Sequence, residues 1–291
     1  MPERDVAPDW DAELQVYEPH RAGLPAMRPY FRQLIERLPF AAEFSRSGIR
    51  SANTQTVFGQ LWLVLNPLLL ALVYWVLVMI ISGGGGGMER LAHITGGLFI
   101  YYFFSGCVGQ GASSVTGGGR LILNMAFPRL LMPMAAVRTA FFRFLPTVPV
   151  YLIIHTLAGG TWSPAMLLGL VFLVMMLLFA AGLTAFFAAV QVYFRDTSSF
   201  LPYMLRIWLY LSPVLWDVSM FWGTSRLSEG MKNIIYLNPL FSIIGGWTES
   251  TLYGQVPSAA MFLAGGAWAV AALIGGSLFF MSRERDFAVR I

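Results

Sequence analysis

The chain has 291 residues, of which 57% are hydrophobic and only 12% are charged, whereas soluble domains carry about 25% charged residues. This composition excludes a soluble enzyme and predicts a membrane protein. The single cysteine, Cys107, excludes a disulfide, zinc or iron-sulfur framework built within one chain.

The N-terminal part is predicted to lie outside the membrane. Residues 1–28 are rich in Asp, Glu, Pro and Ala, which is typical of a disordered or loosely ordered segment. In residues 29–57, arginines mix with aromatic and aliphatic residues at partly helical spacing. We expect an amphipathic helix in the cytoplasmic interface of the membrane there, with a soluble helix that packs on itself as the alternative.

Residues 58–281 contain six apolar stretches long enough to cross a bilayer, since about 20 residues rising 1.5 Å each span a core of about 30 Å. The predicted spans are Leu61–Ser82, His93–Val115, Ala136–Leu157, Ala165–Gln191, Tyr203–Trp222 and Ser258–Met281. The predicted fold class is therefore an all-α polytopic membrane protein with six transmembrane helices. Residues 282–291 form a tail.

Basic residues are distributed unevenly between the two sides of this predicted bundle. One side receives the arginines of the N-terminal segment, of the loop after the second span and of the tail; the other receives only Arg90, Arg226 and Lys232. The positive-inside rule therefore predicts that both termini are cytoplasmic. The net charge of +4 is explained by this topology and by anionic headgroups, not by nucleic acid.

Several function classes lack their signature residues. A phosphate-binding loop needs a lysine directly after its last glycine, and the only lysine of the chain is Lys232. The Gly83–Gly87 run is therefore not such a loop and is predicted to be a flexible linker. No predicted span has a central Asp or Glu, which argues against an ion-coupled transporter, and no paired-aspartate or metal-ligand pattern indicates an intramembrane protease. A channel stays open as an alternative.

Five segments carry a family resemblance, and they occur in the order that the family has. They are VFGQLWLVLNP at Val57–Pro67, AFPRLLMP at Ala126–Pro133, VYFRDTSSFLPYMLRIWLYLSPVLW at Val192–Trp216, YLNPL at Tyr236–Leu240, and the tail SRERDFAVRI. Together they resemble ABC-2 type permeases that export polysaccharides, of the Wzm, KpsM and TarG type. The arginine-rich, almost lysine-free usage resembles actinobacterial galactan exporters in particular.

The resemblance implies a permease subunit in the bacterial cytoplasmic membrane. In such exporters two copies of the permease face each other, and two copies of a cytoplasmic ABC ATPase subunit bind beneath them and hold ATP and Mg. A polyprenyl-diphosphate-linked polysaccharide, such as an O-antigen, galactan or teichoic acid, passes between the permeases. This chain itself is then expected to have no catalytic residue, cofactor or metal. The alternatives are an ABC-2 exporter of drugs or lipids, and a channel or passive membrane scaffold.

A glycan conduit favours aromatic side chains, because rings stack on the weakly apolar C–H faces of sugars without forming tight sites. The alternative for any one ring is an interfacial belt or ordinary helix packing. The candidate conduit aromatics are Tyr101, Tyr102, Phe104, Trp208, Tyr210, Trp216 and Trp222.

The segment Lys232–Gly254 is apolar, yet Asn-Pro and Gly-Gly interrupt it. Because broken backbone at membrane depth is tolerated only against protein or a water-filled cavity, we expect a pair of short re-entrant helices on the outer face; a seventh, tilted span is the alternative. In the family this region forms an outer gate. The candidate gate residues are Tyr236, Asn238, Pro239, Phe241, Trp247 and Tyr253.

Three further sets of residues are predicted at the cytoplasmic side. The candidates for ATPase coupling are Arg120, Phe127, Pro128 and Arg129. Arg138 and Arg143 are candidates for contact with the lipid diphosphate, or they extend toward lipid headgroups. Arg195 and Asp196 are expected to form a structural ion pair rather than a substrate contact.

Overall fold

The computed structural model describes residues 24–51, 57–83, 87–119, 127–223 and 229–290. Within these ranges the chain is helical and has no β-strand. Its α-helices are α1 Met27–Glu36, α2 Leu38–Ser51, α3 Trp62–Ile81, α4 Met88–Ala112, α5 Ser114–Gly117, α6 Leu131–Phe144, α7 Thr147–Leu157, α8 Leu168–Tyr193, α9 Thr197–Leu211, α10 Val218–Trp222, α11 Glu229–Asn233, α12 Pro239–Thr251, α13 Ala259–Arg283 and α14 Phe287–Arg290. Most of the predicted loose segment 1–28 and the centre of the Gly83–Gly87 linker lie outside the described residues.

Five helical segments of the described chain are long and apolar enough to cross a membrane. They are Gly59–Ile81, Met88–Ala112, Leu131–Leu157, Pro164–Tyr193 and Ala259–Asp286. Each overlaps one predicted span, and the third joins α6 to α7 through a short turn. The architecture is that of a polytopic α-helical membrane protein.

The predicted span Tyr203–Trp222 is not one continuous helix, and it is not among these five segments. The helix α9 begins earlier, at Thr197, and ends at Leu211; Ser212 then has extended backbone angles (φ −106°, ψ 153°). The cause is Pro213, since a proline disfavours the helical conformation in the residue before it. The chain resumes as the short helix α10 after Asp217.

The helix α4 lies at the centre of the bundle. Of its most apolar stretch, 83% is buried inside the protein, against 11% for α3. The segment from α9 to Asp217 runs antiparallel to α4: the Tyr101 hydroxyl donates to the Leu205 carbonyl near the middle of α4, and Arg90 pairs with Asp217 at its start. These contacts extend over the first half of α4.

The closest helix pair is α8 and α13, which small residues bring together. A Cβ atom added at Gly276 would lie within 3.0 Å of the Gly182 carbonyl oxygen, and one added at Gly182 would meet the backbone of Ala272 and Leu273 equally closely. Such small-residue contacts allow helix backbones to approach within a membrane. The last long helix, α13, therefore makes its close backbone contact with α8.

The predicted single interface helix is two helices, α1 and α2, separated at Arg37. Pro39 has no backbone N–H to donate to the Ile35 carbonyl, so α1 does not continue through it, and Pro39 lies instead in the first turn of α2. Both helices pack on a second apolar core with α6 and the last turns of α8 and α13. The described N-terminal helices and the C-terminal end of the last long helix thus share one end of the bundle.

The helix α12 makes polar contacts at both of its ends, with the end of α9 and with Asp217. At its start, the Asn238 amide donates to the Leu211 carbonyl (2.9 Å) and accepts from Trp208 Nε1 (2.8 Å). At its far end, the Tyr253 hydroxyl donates to Asp217 Oδ1 (2.9 Å). Asn238 also caps the helix by accepting from the Leu240 N–H, with Pro239 at the first helical position.

Candidate functional site

Three of the four predicted coupling residues lie in the described chain, and Arg129 is the centre of a half-buried cluster. Its backbone N–H donates to Glu284 Oε1 (3.0 Å) and its guanidinium donates to the Glu284 carbonyl. The Tyr30 hydroxyl donates to the other carboxylate oxygen of Glu284 (2.5 Å). One carboxylate thus connects the first helix, the segment before α6 and the end of α13. Arg120 lies outside the described residues.

Burial sets the protonation chemistry of this cluster. It raises the pKa of the Tyr30 hydroxyl, an effect that the charge of Glu284 strengthens, so Tyr30 stays a neutral donor. Burial lowers the pKa of the Arg129 guanidinium, although an arginine remains cationic at neutral pH. The cluster therefore holds a fixed donor pattern around one carboxylate.

Phe127 and Pro128 attach the same segment to the interface helices. The Phe127 ring lies 5.7 Å from the Phe40 ring of α2, and Pro128 is buried. Sequence reasoning missed Tyr30 and Glu284, which are separated from Arg129 by about a hundred residues or more and have no motif of their own.

The two arginines predicted near the lipid diphosphate point to different surroundings. Arg138 donates to the Ala42 carbonyl of α2 (2.9 Å) and its guanidinium lies 4.6 Å from the centre of the Phe142 ring. Arg143 donates to Gln110 Oε1 (3.1 Å) instead. Arg138 therefore fastens the interface helix, whereas Arg143 faces a cavity.

That cavity lies between α3, α4, α6 and α9 and has a volume of about 960 Å³. Its walls are largely apolar, and the polar groups that reach it include Gln110, Arg143 and Arg206. Tyr74 and Tyr210 also line it, with their hydroxyls 3.4 Å apart. A volume of this size suits a ligand as large as a drug molecule or a lipid headgroup. We call it the side cavity.

The predicted conduit aromatics divide into three groups. Tyr102 and Tyr210 line the side cavity with accessible rings, and Tyr101 forms part of its wall while its own side chain is buried. Phe104 is 0% exposed, because its ring is stacked on Phe179 and Trp208 covers its edge. Its position in the central helix makes Phe104 a core residue, so its assignment to a conduit surface was wrong.

Trp216 and Trp222 belong to a separate aromatic cluster near the predicted gate. The Trp216 ring stacks on Phe241 with centroids 6.1 Å apart, and Trp222 lies 6.0 Å from Tyr236. Phe221 contacts Trp216 and Phe241.

The remaining gate candidates differ in exposure. Pro239, Phe241 and Trp247 are buried, whereas Tyr236, Asn238 and Tyr253 are partly accessible. The structure thus brings two predicted conduit residues, Trp216 and Trp222, into one cluster with gate residues.

Next to this cluster lies an ionic network that sequence reasoning did not predict. Asp217 pairs with Arg90, accepts from Tyr253, and lies 2.9 Å from His93 Nδ1. Arg90 also donates to the Leu215 carbonyl (2.7 Å). Burial and the nearby Asp217 charge raise the pKa of the Tyr253 hydroxyl, which keeps it a neutral donor. The network ties the start of α4 to the break after α9 and to the end of α12.

The predicted ion pair between Arg195 and Asp196 does not form in the described chain. No carboxylate oxygen lies within 4.0 Å of Arg195, and the Arg195 carbonyl instead accepts from Gln191 Nε2 (3.1 Å). Both side chains are exposed at the start of α9. Adjacent residues at a helix start point in different directions, which keeps the two charges apart.

Among the described residues no group of three or more His, Cys, Asp or Glu side chains is arranged to hold a metal ion. The described side chains offer hydrogen-bonding, aromatic and cationic surfaces.

No family model matches the chain. It is 29% identical over 261 residues to the O-antigen export system permease protein RfbA of Myxococcus xanthus, covering 89% of this chain and 98% of that protein. Two O-antigen export system permease proteins RfbA of Klebsiella pneumoniae are 28% and 26% identical, covering 68% and 69% of this chain and 74% and 75% of those proteins. These relatives confirm the resemblance of the chain to ABC-2 type polysaccharide export permeases.

Proposed function

We propose that this chain is the membrane-spanning permease subunit of an ATP-driven exporter that moves a lipid-linked polysaccharide out of the cytoplasm. The observation that carries the proposal is the similarity to an O-antigen export permease over 89% of the chain. The apolar helices also support the proposal, because five described segments are long and apolar enough to cross a membrane.

The proposal includes a sixth, broken span formed by α9, the segment Ser212–Asp217 and α10. Its support is the antiparallel contact with α4, which extends from Leu205 to Asp217. The path back through α12 starts beside Trp208 and ends beside Asp217, as expected of a re-entrant pair on the outer face. The aromatic cluster around Trp216 and Phe241 then forms the outer gate.

Both termini are cytoplasmic in this proposal. The arginine distribution supports that orientation, and so does the shared position of Tyr30 and Glu284 at one end of the bundle. ATP and Mg bind to a separate ATPase subunit, two copies of which act on two copies of this chain. The segment Phe127–Arg129 is the proposed docking element, because it contacts α2 through Phe40 and is linked through Glu284 to α1 and to the end of α13.

Within the bundle, the proposed substrate contacts are aromatic and cationic. Tyr102 and Tyr210 offer accessible rings for stacking on sugars. Arg143 is the better candidate for a diphosphate contact, since Arg138 already donates to the Ala42 carbonyl.

Co-purification separates an exporter from a channel or scaffold. The protein expressed with its native neighbours is expected to retain an ABC ATPase subunit through detergent extraction. In the Arg129→Glu variant we expect this association to be lost, whereas Arg195→Glu, an exposed arginine outside the cluster, serves as the control and retains it. Isolation of the native chain without any ATPase would contradict the proposal.

Substrate-stimulated ATP hydrolysis separates glycan export from export of drugs or free lipids. The purified complex in nanodiscs is expected to hydrolyse ATP faster with a polyprenyl-diphosphate-linked glycan than with the unglycosylated lipid or with amphipathic drugs. Equal stimulation by drugs would favour the alternative exporter.

A further inference from the structure

The helix α9 carries one charged residue, Arg206, within an otherwise uncharged sequence. Its neighbour Leu205 accepts a hydrogen bond from Tyr101, which lies near the middle of α4. Arg206 is therefore near mid-depth of the proposed bundle. A charge at that depth is unfavourable and, where it occurs, usually faces a water-filled cavity or serves function.

Arg206 has no counter-ion among the described residues. No carboxylate oxygen lies within 4.0 Å of its guanidinium, and none of the hydrogen bonds found in the described ranges uses it. The polar groups that interact with it electrostatically are the hydroxyls of Tyr74 and Tyr102. These neutral groups do not balance its charge.

The same cavity holds a second cation. Arg143 uses one terminal nitrogen on Gln110, while its Nε atom is buried and has no acceptor within the described chain. Arg206 and Arg143 both line the side cavity, and none of its lining residues is an Asp or Glu. A cavity of about 960 Å³ with two cations and no anion in its wall favours an anionic occupant.

Guanidinium groups recognise phosphate well, because their planar fork of N–H donors matches two phosphate oxygens. The cavity also adjoins apolar surface: Leu70 is 39% exposed on α3, and Ile207 is 59% exposed on α9 beside Arg206. An occupant with a phosphate group in the cavity and an apolar chain along these helices satisfies both features.

We propose that the side cavity binds the phosphate-bearing headgroup of a lipid, with Arg206 as its central cation and Arg143 as the second. The inference rests on the proposed function only for the identity of that lipid, a polyprenyl diphosphate. It adds a residue, Arg206, that the motifs did not single out.

The test measures binding of tritiated farnesyl diphosphate to the purified full-length chain in phosphatidylcholine nanodiscs. Arg206→Gln is expected to raise the Kd at least about tenfold. It removes a charge-assisted hydrogen bond, and the loss of one such bond weakens binding by about tenfold or more. Arg143→Gln is expected to raise it less, and Arg206→Lys to retain part of the affinity as a point charge. Arg195→Gln, an exposed arginine outside the cavity, is the matched control and is expected to bind like the native chain.

Competition by unlabelled compounds identifies what the site recognises. We expect farnesyl diphosphate to displace the probe most strongly, inorganic pyrophosphate more weakly and farnesol hardly at all. Competition by pyrophosphate as strong as by farnesyl diphosphate would keep the phosphate site but assign it to a free anion. Equal competition by farnesol, or an unchanged Kd in both Arg206→Gln and Arg143→Gln, would overturn the proposal.

Thermal unfolding in the same nanodiscs controls for folding. Arg206→Gln is expected to melt no lower than the native chain, since it removes an unpaired charge. This binding test uses no glycan, so it fails or succeeds independently of the proposed export function, which is tested in cells.

Discussion

Glu284 accepts a hydrogen bond from the backbone N–H of Arg129 (3.0 Å), although the two residues are 155 positions apart. Because the same carboxylate also accepts from Tyr30, it holds three elements at one end of the bundle in a fixed relation. A movement imposed on the segment around Arg129 is thereby passed on to the last long helix and to the first helix together.

Glu284→Ala removes this connection and leaves the Arg129 N–H without its acceptor. An unsatisfied buried donor costs about 1–3 kcal/mol, so we expect a lower melting temperature and ATP hydrolysis that glycan no longer stimulates. Glu284→Gln keeps an acceptor oxygen and is expected to be milder. Glu36→Gln, an exposed carboxylate of α1, is the control. A Glu284→Ala complex with native stimulation would contradict the coupling role.

Asp217→Asn tests the network at the other end of the bundle. Removing one partner of a buried charge pair costs about 3–5 kcal/mol, because Arg90 is left without its counter-ion. We expect a clear fall in melting temperature and, in proteoliposomes that contain the variant, greater permeability to small solutes. The control is Asp196→Asn, whose exposed side chain has no hydrogen-bond or ion-pair partner in the described chain. Equal melting of the two variants would show that the network does not hold the helices.

Gly276→Ala tests the close contact between α8 and α13. The added methyl group would overlap the backbone carbonyl of Gly182, which cannot move aside as a flexible side chain does. We expect the melting temperature to fall by about 5 °C or more, which corresponds to a loss of roughly 2 kcal/mol in a chain of this size. The neighbouring Gly275→Ala is the matched control, since nothing lies within 4 Å of a Cβ added there. Similar melting of both variants would place the helices farther apart than described.

Glu249 predicts a pH dependence of stability. Burial raises the pKa of its carboxyl from the ordinary 4.5 to about 6, so folding favours the neutral acid. The stability that this group contributes is complete below pH 4.5 and is lost as the pH rises through about 6. We expect the melting temperature of Glu249→Gln to exceed that of the native chain, by a difference that grows as the pH rises from 4.5 through about 6. Glu43→Gln, on the exposed face of α2, is expected to follow the native curve throughout.

Much of the helical plan follows from local sequence. Uninterrupted apolar length predicted the five long segments, because a helix that crosses a bilayer needs about 20 largely uncharged residues in a row, and this can be read from local sequence. Pro213 also indicates the helix break at Ser212, but the apolar residues on both sides of it favoured the prediction of one continuous span.

Contacts between distant residues were not predictable in the same way. The sequence analysis did not single out Asp217, because its pairing with Arg90 and His93 depends on how α9 packs against α4. The burial of Phe104 has the same origin: a ring on an apolar helix faces lipid, a conduit or the core according to the neighbours it receives. The sequence patterns identified the candidate residues, and only the tertiary packing showed which of them are buried and which are exposed.

The central claim is export of a lipid-linked glycan, and depletion of the protein in its native host tests it most directly. Radiolabelled sugar is followed into polyprenyl-linked glycan on the inner and outer sides of the cytoplasmic membrane. We predict that long lipid-linked polymer accumulates on the inner side, with a sugar composition that identifies the substrate. A glycan pool unchanged in amount and location after depletion would contradict the account.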